Sequence, residues 1–415
     1  MTFARYLARK RAELALVAEA TPPPAPADGT IEALLDAKRL ARAGALAART
    51  LTWPELTETN VGRRAIEVGG RMVSWSYQRF DLAITGGGPY VGALAGEAVQ
   101  HDTVWAGSGM AAIAALVIAL DSGGVRRLVT GTDTYFETTW VAERVAGLAV
   151  QRLGVSGAVA APAGPWALWL CSIGHESHLP MLATLASGPR VVVLDTTCYS
   201  ASGCEVAAVV DACAAAAVPL VLVRSHLKLD GLGVELGRLG SATFVLADRA
   251  APRTRTWALR LLAGHAEALA RAGGAVNPLH LPPLSTPTRE RAAALRLTAL
   301  RRANRRAATA LATCTNATVR RHHHDLFFTI ECGSPRAGQL DVLAAALRRV
   351  GVPARRAPSF GLDTTHVDHY VDLARQREVT RFAVSDLPDT LVDRLVEVVA
   401  QELAGRVPRP LRRTA

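Results

Sequence analysis

Residues 221–231 have the sequence Val-Leu-Val-Arg-Ser-His-Leu-Lys-Leu-Asp-Gly. The apolar first half predicts a buried strand that ends at a polar turn, and Lys228 lies in this turn. Open α/β sheets bind their ligands at the carboxyl ends of their strands, where a lysine between apolar walls can lose its proton and form a Schiff base. Taken alone, such a lysine is more often an exposed loop residue, so the rest of the chain has to decide.

Length and composition limit the class of protein. The chain has 415 residues, half of them apolar, which predicts two or three domains. Its net charge is +11, but the arginines are scattered without a basic block interleaved with aromatics, so we expect anionic ligands and no nucleic-acid partner. The sequence contains no apolar run of about 20 residues, which is the length that a membrane-spanning helix needs, so we expect no such helix. The first 20 residues lack the apolar core of a signal peptide, and six cysteines without C-x-x-C spacing favour free thiols in a reducing cytoplasm.

Apolar strand-like runs alternate with helical segments between residues 100 and 275. The strands are expected at Val104–Ala106, Arg127–Thr130, Ala167–Cys171, Val191–Leu194, Leu220–Val223 and Thr243–Leu246, and the helices at Met110–Leu120, Thr138–Leu148, Glu205–Ala217 and Pro252–Ala270. Continuous apolar strands joined by helices predict an α/β domain whose mostly parallel sheet is covered on both faces.

The chain divides into three parts by composition. Residues 1–75 are expected to form an N-terminal helical arm and linker, and residues 76–285 the large α/β domain. A proline-rich passage at 277–287 marks the next boundary, so residues 286–415 are assigned to a connecting helix and a small C-terminal α+β domain. In that last part, strands are expected at 325–331 and 379–384, and helices at 288–313, 338–350 and 388–405.

Four further features have residue types that suit a site around Lys228. The Gly-Ser-Gly turn at 107–109 precedes an apolar helix and can bind phosphate through free amides. Tyr135 can stack on a flat ring, and Asp195, at the end of a core strand, can keep a pyridine nitrogen protonated. Arg381 lies inside an apolar strand, where a carboxylate partner is expected. Singly, each also fits an ordinary turn, core or capping residue.

Together these groups are the parts needed to hold pyridoxal phosphate, and their order resembles the fold type I pyridoxal-phosphate enzymes. Within them, the chain is similar to the cysteine and methionine metabolism family of cystathionine γ-synthase and the β- and γ-lyases. The motifs that carry the resemblance are Tyr77-Gln78-Arg79, Ser108-Gly109-Met110, Tyr135, Asp195-Thr196-Thr197, Ser225 with Lys228, Ser359-Phe360-Gly361 and Arg381.

The resemblance implies a fold type I architecture, the cofactor pyridoxal 5'-phosphate and a set of site residues. Lys228 would form the Schiff base and act as acid and base, with Tyr135 as the second catalytic residue. The implied cofactor-binding residues are Tyr77, Arg79, Ser108, Gly109, Met110, Tyr135, Asp195, Thr197, Ser225 and Lys228. Arg381 and Ser359 would bind the substrate. In the family, the Tyr-x-Arg side chains reach the phosphate of the neighbouring subunit, which implies a homodimer or homotetramer with shared active sites.

The sequence also departs from the family pattern. The asparagine expected near the cofactor's phenolic oxygen is missing, and His178 or Ser177 is the candidate to replace it. Leu227 stands where a threonine is usual, and the glycine pattern after Lys228 is closer to that of aminotransferases, which makes Arg238 a candidate phosphate ligand or else a surface arginine. Three consecutive histidines at 322–324 alternate in direction along a strand and lack acid partners, so no metal is expected.

On this resemblance we expect an enzyme that acts on an amino acid by β- or γ-elimination or replacement at a C–S or C–O bond. A sulfonium such as S-adenosylmethionine is within the range of substrates, and the divergence favours specialised metabolism. The alternatives are an aminotransferase, or an aldolase or decarboxylase, because the same cofactor site serves these reactions. A catalytically inactive binding homologue is the alternative of another class.

Overall fold

The computed structural model describes most of the chain. The described residues are 1–18, 30–52, 61–68, 71–77, 83–85, 88–90, 94, 99–154, 162–201, 203–235, 238–272, 286–315, 317–331, 338–372 and 377–404. Their helices are α1 (Phe3–Ala18), α2 (Ile31–Thr52), α3 (Gly109–Ser122), α4 (Phe136–Arg144), α5 (Cys204–Ala216), α6 (Pro252–Arg271), α7 (Pro287–Cys314), α8 (Gln339–Arg349) and α9 (Asp389–Ala404), with a 3₁₀ helix at Leu179–Ser187.

The strands of the described residues form three sheets. They are β1 (Val61–Val68), β2 (Arg71–Tyr77), β3 (Ala83–Thr85), β4 (Val99–Ala106), β5 (Arg127–Gly131), β6 (Ala149–Leu153), β7 (Trp166–Cys171), β8 (Val191–Asp195), β9 (Leu220–Ser225), β10 (Gly240–Ala247), β11 (Thr318–Arg321), β12 (Phe328–Glu331), β13 (Ala354–Arg356), β14 (Thr365–Asp372) and β15 (Arg377–Ala383).

The largest sheet has seven strands in the order β4-β10-β9-β8-β7-β5-β6. Strands β5 to β9 pair in parallel, whereas β10 is antiparallel to both of its neighbours. Alternate residues face opposite sides: Val193 packs with α3, α4 and α6, and Val192 packs with α5 and the 3₁₀ helix. Both faces are therefore covered, which is why these strands are apolar throughout.

A second sheet of five strands, β11-β12-β15-β14-β13, is antiparallel except for the pair β13 and β14. Its core is shared with α7, α8 and α9. The third sheet is the antiparallel meander β1-β2-β3. Helices α1 and α2 pack on each other, and Tyr6 and Ile31 join the apolar core of the five-stranded sheet.

The predicted α/β class is confirmed, and all six predicted strands of the large sheet are present. No strand was predicted between residues 61 and 85, where the structure contains β1 to β3. The helix expected to run to Leu148 ends at Arg144, and β6 begins at Ala149. The strand expected from Asp325 begins only at Phe328, because Asp325 has a positive φ of 53° in the preceding turn. None of the described helices is both long and apolar enough to cross a membrane.

Candidate active site

A buried ion pair fixes the turn that carries Lys228. Arg224 donates from Nε and Nη2 to the two carboxylate oxygens of Asp230 at 2.7 and 2.6 Å. Its Nη1 donates to the carbonyl oxygens of Thr196 and Tyr199 at 2.6 and 2.9 Å, in the loop after β8. Because a guanidinium holds all four acceptors in one plane, the turn after β9 is locked to the loop after β8.

His226 lies inside the same turn. Its Nδ1 is 2.6 Å from Asp230, and its Nε2 is 2.8 Å from the hydroxyl of Ser241 on β10. Only 3% of His226 is exposed, and its ring packs beside Trp105. This histidine therefore lines the turn and ties it to β10.

The Lys228 amine lies at the junction of the two larger sheets. Its Nζ donates to the hydroxyl of Ser359 at 2.8 Å and lies 5.4 Å from the centre of the Phe360 ring. Lys228 forms no ion pair with any described residue. Burial is the main cause that lowers the pKa of Lys228 below its ordinary value; Glu235 opposes this shift and Arg381 reinforces it. An amine of lowered pKa is a better nucleophile near neutral pH.

The Gly-Ser-Gly turn lies directly against the strand that precedes Lys228. Ser108 caps α3 by accepting from the amide of Ala111 at 3.0 Å. A Cβ on Gly109 would lie 2.8 Å from Cβ of Ser225, and a Cβ on Gly240 would lie 2.2 Å from the Ser108 carbonyl oxygen. Both glycines are thus required for the close approach of the helix terminus to β9 and β10.

Asp195 ends β8 in a buried position, 5% exposed. Its Oδ1 accepts from the Thr197 amide at 2.9 Å, and it forms no ion pair with the described residues. Burial raises the pKa of Asp195 above its ordinary value, although the bonds from Thr197 and the charge of Arg224 oppose the shift. Thr197 in turn accepts from the Ser225 amide at 3.2 Å, so Asp195 and the Lys228 turn are joined by one residue.

Tyr135 precedes α4, half-buried against the apolar core of the large sheet. Burial and the carboxylates of Glu137 and Asp195 raise the pKa of its hydroxyl, while Arg381 opposes them. The charges of Asp195 and Arg381 therefore both act on the Tyr135 hydroxyl.

Arg381 lies on β15, opposite Asp368 of β14. One guanidinium nitrogen is 3.4 Å from the Asp368 carboxylate, and the guanidinium carbon is 5.5 Å from the rings of both Phe327 and Tyr370. The side chain is 12% exposed. Its single long ion pair leaves most of its donors without a carboxylate among the described residues.

His178 is engaged on both ring nitrogens. Nδ1 accepts from the Cys171 amide at 3.0 Å, and Nε2 is 2.6 Å from Asp133. Burial opposes ionisation of Asp133, but the bonds from His178 and from the amides of Glu176 and His175 outweigh it and lower its pKa to about 2. Both ring nitrogens of His178 thus contact other residues of the protein, and its role as a substrate ligand stays a prediction.

The remaining predicted site residues are less fully placed. Tyr77 ends β2, but its side chain is not described, and Arg79 lies outside the described residues. Met110 is partly buried against the core beneath α3, and Arg238 is exposed, two residues before β10. Their roles toward a phosphate stay predictions.

Sequence reasoning missed the residues that support Lys228. Arg224 and Asp230 carried the same signal that identified Arg381, a charge within or next to an apolar strand, which calls for a buried partner. Glu137, beside Tyr135, and Glu235, near Lys228, have no such signal, because an acid in a helix or loop is ordinarily solvated.

Comparison with known proteins identifies the fold. No protein-family model and no curated protein matches the chain significantly in sequence. Among solved structures, it is similar to cystathionine γ-synthase from Xanthomonas oryzae pv. oryzae in complex with cystathionine, with a TM-score of 0.52, 14% identity and coverage of 80% of this chain and 89% of that one. It is also similar to a putative O-acetylhomoserine (thiol)-lyase from Campylobacter jejuni subsp. jejuni, which contains N'-pyridoxyl-lysine-5'-monophosphate, with a TM-score of 0.52, 13% identity and coverage of 73% and 82%. The chain therefore has the fold of the fold type I pyridoxal-phosphate proteins.

Proposed function

We propose that the protein is a pyridoxal-phosphate-dependent lyase or transferase that acts on an amino acid by β- or γ-elimination or replacement. The observation that carries the proposal is the environment of Lys228: an amine of lowered pKa, outside any ion pair with the described residues, at the carboxyl edge of a parallel sheet. Such an amine suits covalent attachment of an aldehyde. The solved structures of the same fold support the choice of cofactor by analogy.

The residues on this edge fit the chemistry of the cofactor. The start of α3 meets Ser225 at Gly109, where a Cβ would lie 2.8 Å from Cβ of Ser225, so this helix N-terminus lies directly against the strand that leads to Lys228. A helix N-terminus in this position would suit a phosphate group. Asp195 is a buried carboxylate whose raised pKa indicates an uncompensated charge, and a protonated pyridine nitrogen would compensate it. When bound, the cofactor would supply an electron sink for a carbanion next to nitrogen.

The chain's own groups would divide the proton transfers and the orientation of the substrate. Lys228 would hold and move the proton at the substrate's α-carbon, with the Ser359 hydroxyl setting the direction of its amine. Arg381 would bind the α-carboxylate, displacing the long contact to Asp368. Tyr135, which immediately precedes α4, would cover one face of the ring.

Acidic side chains near Lys228 support a finer proposal for the substrate. Glu235 and Glu137 both raise the pKa of Lys228 against the effect of burial, and Asp368 lies beside Arg381. Glu235 already pairs with Arg355 at 2.5 Å, so Glu137 and Asp368 are the carboxylates that would balance a positively charged side chain, and a sulfonium such as S-adenosylmethionine is included among the proposed substrates. A role in specialised metabolism is proposed because Leu227 and His178 depart from the family motifs.

The proposed assembly is a homodimer, alone or paired into a homotetramer, with active sites shared between subunits; this proposal rests on the Tyr77-Gln78-Arg79 motif. The proposed location is the cytoplasm, because five cysteines are free: Cys171, Cys198, Cys204, Cys213 and Cys314. Free thiols are typical of a reducing compartment.

The first experiment tests cofactor binding. Purified protein mixed with pyridoxal phosphate is expected to develop a visible absorption band, and Lys228→Ala is expected to lack it because no other amine lies at the site. Absorption spectra with and without borohydride reduction, followed by peptide mass analysis, locate the bonded residue. A colourless wild-type protein, or attachment at another residue, would refute the proposal and favour an inactive binding homologue.

The second measurement separates the reaction classes. The loaded protein is incubated with cystathionine, O-acetylhomoserine and S-adenosylmethionine, and released thiols, thioethers and oxo acids are assayed. Elimination or replacement predicts turnover with release of the side-chain leaving group. Conversion of the cofactor to its amine form with one equivalent of oxo acid would instead identify an aminotransferase.

A further inference from the structure

The chain contains 47 basic residues other than histidine, and only three of them are lysine: Lys10, Lys38 and Lys228. Lys228 is the proposed cofactor lysine. Lys10 and Lys38 lie on the N-terminal helices α1 and α2, and both are fully buried. In a sequence that uses arginine almost everywhere, two buried lysines indicate positions that a guanidinium does not fit.

Lys10 lies among three carboxylates. Its Nζ is 2.9 Å from Glu13, 2.5 Å from Asp363 and 2.8 Å from Asp386, so each of its three N–H groups has an acceptor. Burial alone would lower the pKa of Lys10, but the three carboxylates outweigh it and hold the pKa above the ordinary value. The amine is therefore charged and acts as the centre of a buried ion cluster.

Lys38 uses the same acids from the other side. Its Nζ is 2.7 Å from Glu13, 2.7 Å from the second oxygen of Asp363 and 2.6 Å from the carbonyl oxygen of Leu232. Leu232 follows Lys228 by four residues. Lys38 thus joins the chain that leaves the Lys228 turn to the loop that contains Asp363.

That loop is also the one that contacts the Lys228 amine. Ser359 accepts from Nζ, and Gly361, with a φ of +75°, lies so close that a Cβ would be 2.7 Å from the Lys228 carbonyl oxygen. At its far end, the Asp363 amide donates to Gly233 at 3.0 Å. The segment 359–363 is therefore bound to Lys228 at one end and to the buried lysines at the other.

Arginine does not suit either lysine position. A lysine amine is a compact charge with three donors that diverge from one atom, whereas a guanidinium donates within a plane and is wider. The cluster already contains Arg296, which donates to the Gly361 carbonyl oxygen at 3.1 Å and lies 3.3 Å from Asp363. Three carboxylates around one point match an ammonium group.

We infer that Lys10 and Lys38 are positioning residues of the active site: through Asp363 and the Leu232 carbonyl they hold segment 359–363 against the Lys228 turn, and so place Ser359 on the amine. The inference rests on the proposed function, because that function makes Lys228 the cofactor lysine. The contacts that the two buried lysines form do not depend on it. The N-terminal helices are on this view part of the catalytic apparatus and not an accessory arm.

The test is the pH profile of Lys228 acylation in the full-length protein. Limiting acetic anhydride is applied at a series of pH values, and modification of the Lys228 peptide is read by mass spectrometry; the other two lysines are buried. Lys38→Met is expected to lower the pH midpoint by roughly one unit, because Ser359 no longer stabilises the ammonium form. Ser359→Ala is expected to give the same shift, and the double variant no more than either single variant.

One variant controls for general destabilisation, and a second separates the geometry of Lys38 from its charge. Leu343→Ala, in the core beneath α8, leaves a cavity away from this loop and is expected to lower the melting temperature without moving the Lys228 midpoint. Lys38→Arg keeps the charge, is the milder change should Lys38→Met not fold, and is expected to show the same shift as Lys38→Met. Hydrogen exchange of wild-type residues 359–363 is expected to be as slow as that of α2.

An unchanged midpoint in Lys38→Arg, shifts that add in the double variant, or rapid exchange of 359–363 in wild type would each overturn the inference. None of these measurements uses the cofactor. A wild-type protein that fails to bind pyridoxal phosphate would refute the proposed function, whereas the acylation midpoints and the hydrogen exchange would still test the inference.

Discussion

At the scale of single residues, the turn that carries Lys228 depends on a buried ion pair between Arg224 and Asp230. Asp230 accepts two bonds from Arg224 and a third contact from His226. Burial would raise the pKa of Asp230, but these partners outweigh it and hold the pKa far below its ordinary value. Arg224 is 2% exposed. Loss of the carboxylate would leave a guanidinium without a counter-charge in an apolar strand, which is the costly way to break a buried pair.

Asp230→Asn is therefore expected to lower the free energy of unfolding by about 3–5 kcal/mol. The matched control is Asp393→Asn, which breaks the ion pair with Arg306 on the surface, where both side chains are nearly half exposed; we expect at most about 1 kcal/mol there. Urea unfolding followed by circular dichroism measures both. Equal losses in the two variants would show that the Arg224 pair does not secure the Lys228 turn.

At the scale of elements, the sequence predicted what depends on local pattern. Strands such as β7, β8 and β9 are apolar and bounded by turns, and their positions were correct within two residues. The elements that it missed, including β6 and β13, are short or alternate weakly, so their pairing depends on neighbours distant in the chain. The same reason explains the site: Ser359 was identified by its motif, but its contact with Lys228 joins positions 131 residues apart.

Helix α6 contains a titratable group that makes its packing depend on pH. His265 is fully buried against Phe244, and its Nε2 lies 3.1 Å from the Ala112 carbonyl oxygen. Burial lowers its pKa to about 4, which the bond to Ala112 partly opposes. Between pH 4 and the ordinary value near 6.5, the unfolded state binds more protons than the folded state, so stability rises with pH in this window and is lost as pH falls.

His265 alone is expected to cost roughly 3 kcal/mol between pH 7 and pH 4. His265→Gln keeps a donor for Ala112 without a titrating ring, so its free energy of unfolding should depend less steeply on pH across this window. Part of the slope will remain, because burial also lowers the pKa of His324 and His366 to about 3. Denaturant titrations at pH 4, 5, 6 and 7 provide the comparison, with the exposed His101→Gln as control. An unchanged slope in His265→Gln would contradict the assignment.

At the scale of the whole molecule, the proposed site draws on both larger sheets. Lys228 and Asp195 come from the carboxyl edge of the seven-stranded sheet. Arg381 lies on β15 of the five-stranded sheet, and Ser359 lies in the loop between β13 and β14 of the same sheet. Lys38 of α2 connects the same two parts through Asp363 and the Leu232 carbonyl oxygen. A substrate that contacts both sheets would therefore bind where their relative position is already fixed, which lowers the cost of ordering the site.

The proposed sharing of sites between subunits can be tested without knowing the substrate. If Arg79 serves the neighbouring subunit, a heterodimer of Arg79→Ala with Lys228→Ala has one site with both defects and one with neither. Refolding an equal mixture of the two variants should then restore cofactor binding to about a quarter of the wild-type amount, since half of the dimers are mixed and each has one intact site. The absorption band measures this, and light scattering confirms the dimer. A mixture of Asp195→Ala with Lys228→Ala is the control, because both residues belong to one subunit's site and no heterodimer contains an intact one. No restoration in the test mixture would mean that Arg79 acts within its own subunit or not at all, whereas restoration in the control would mean that Asp195 and Lys228 do not belong to one subunit's site.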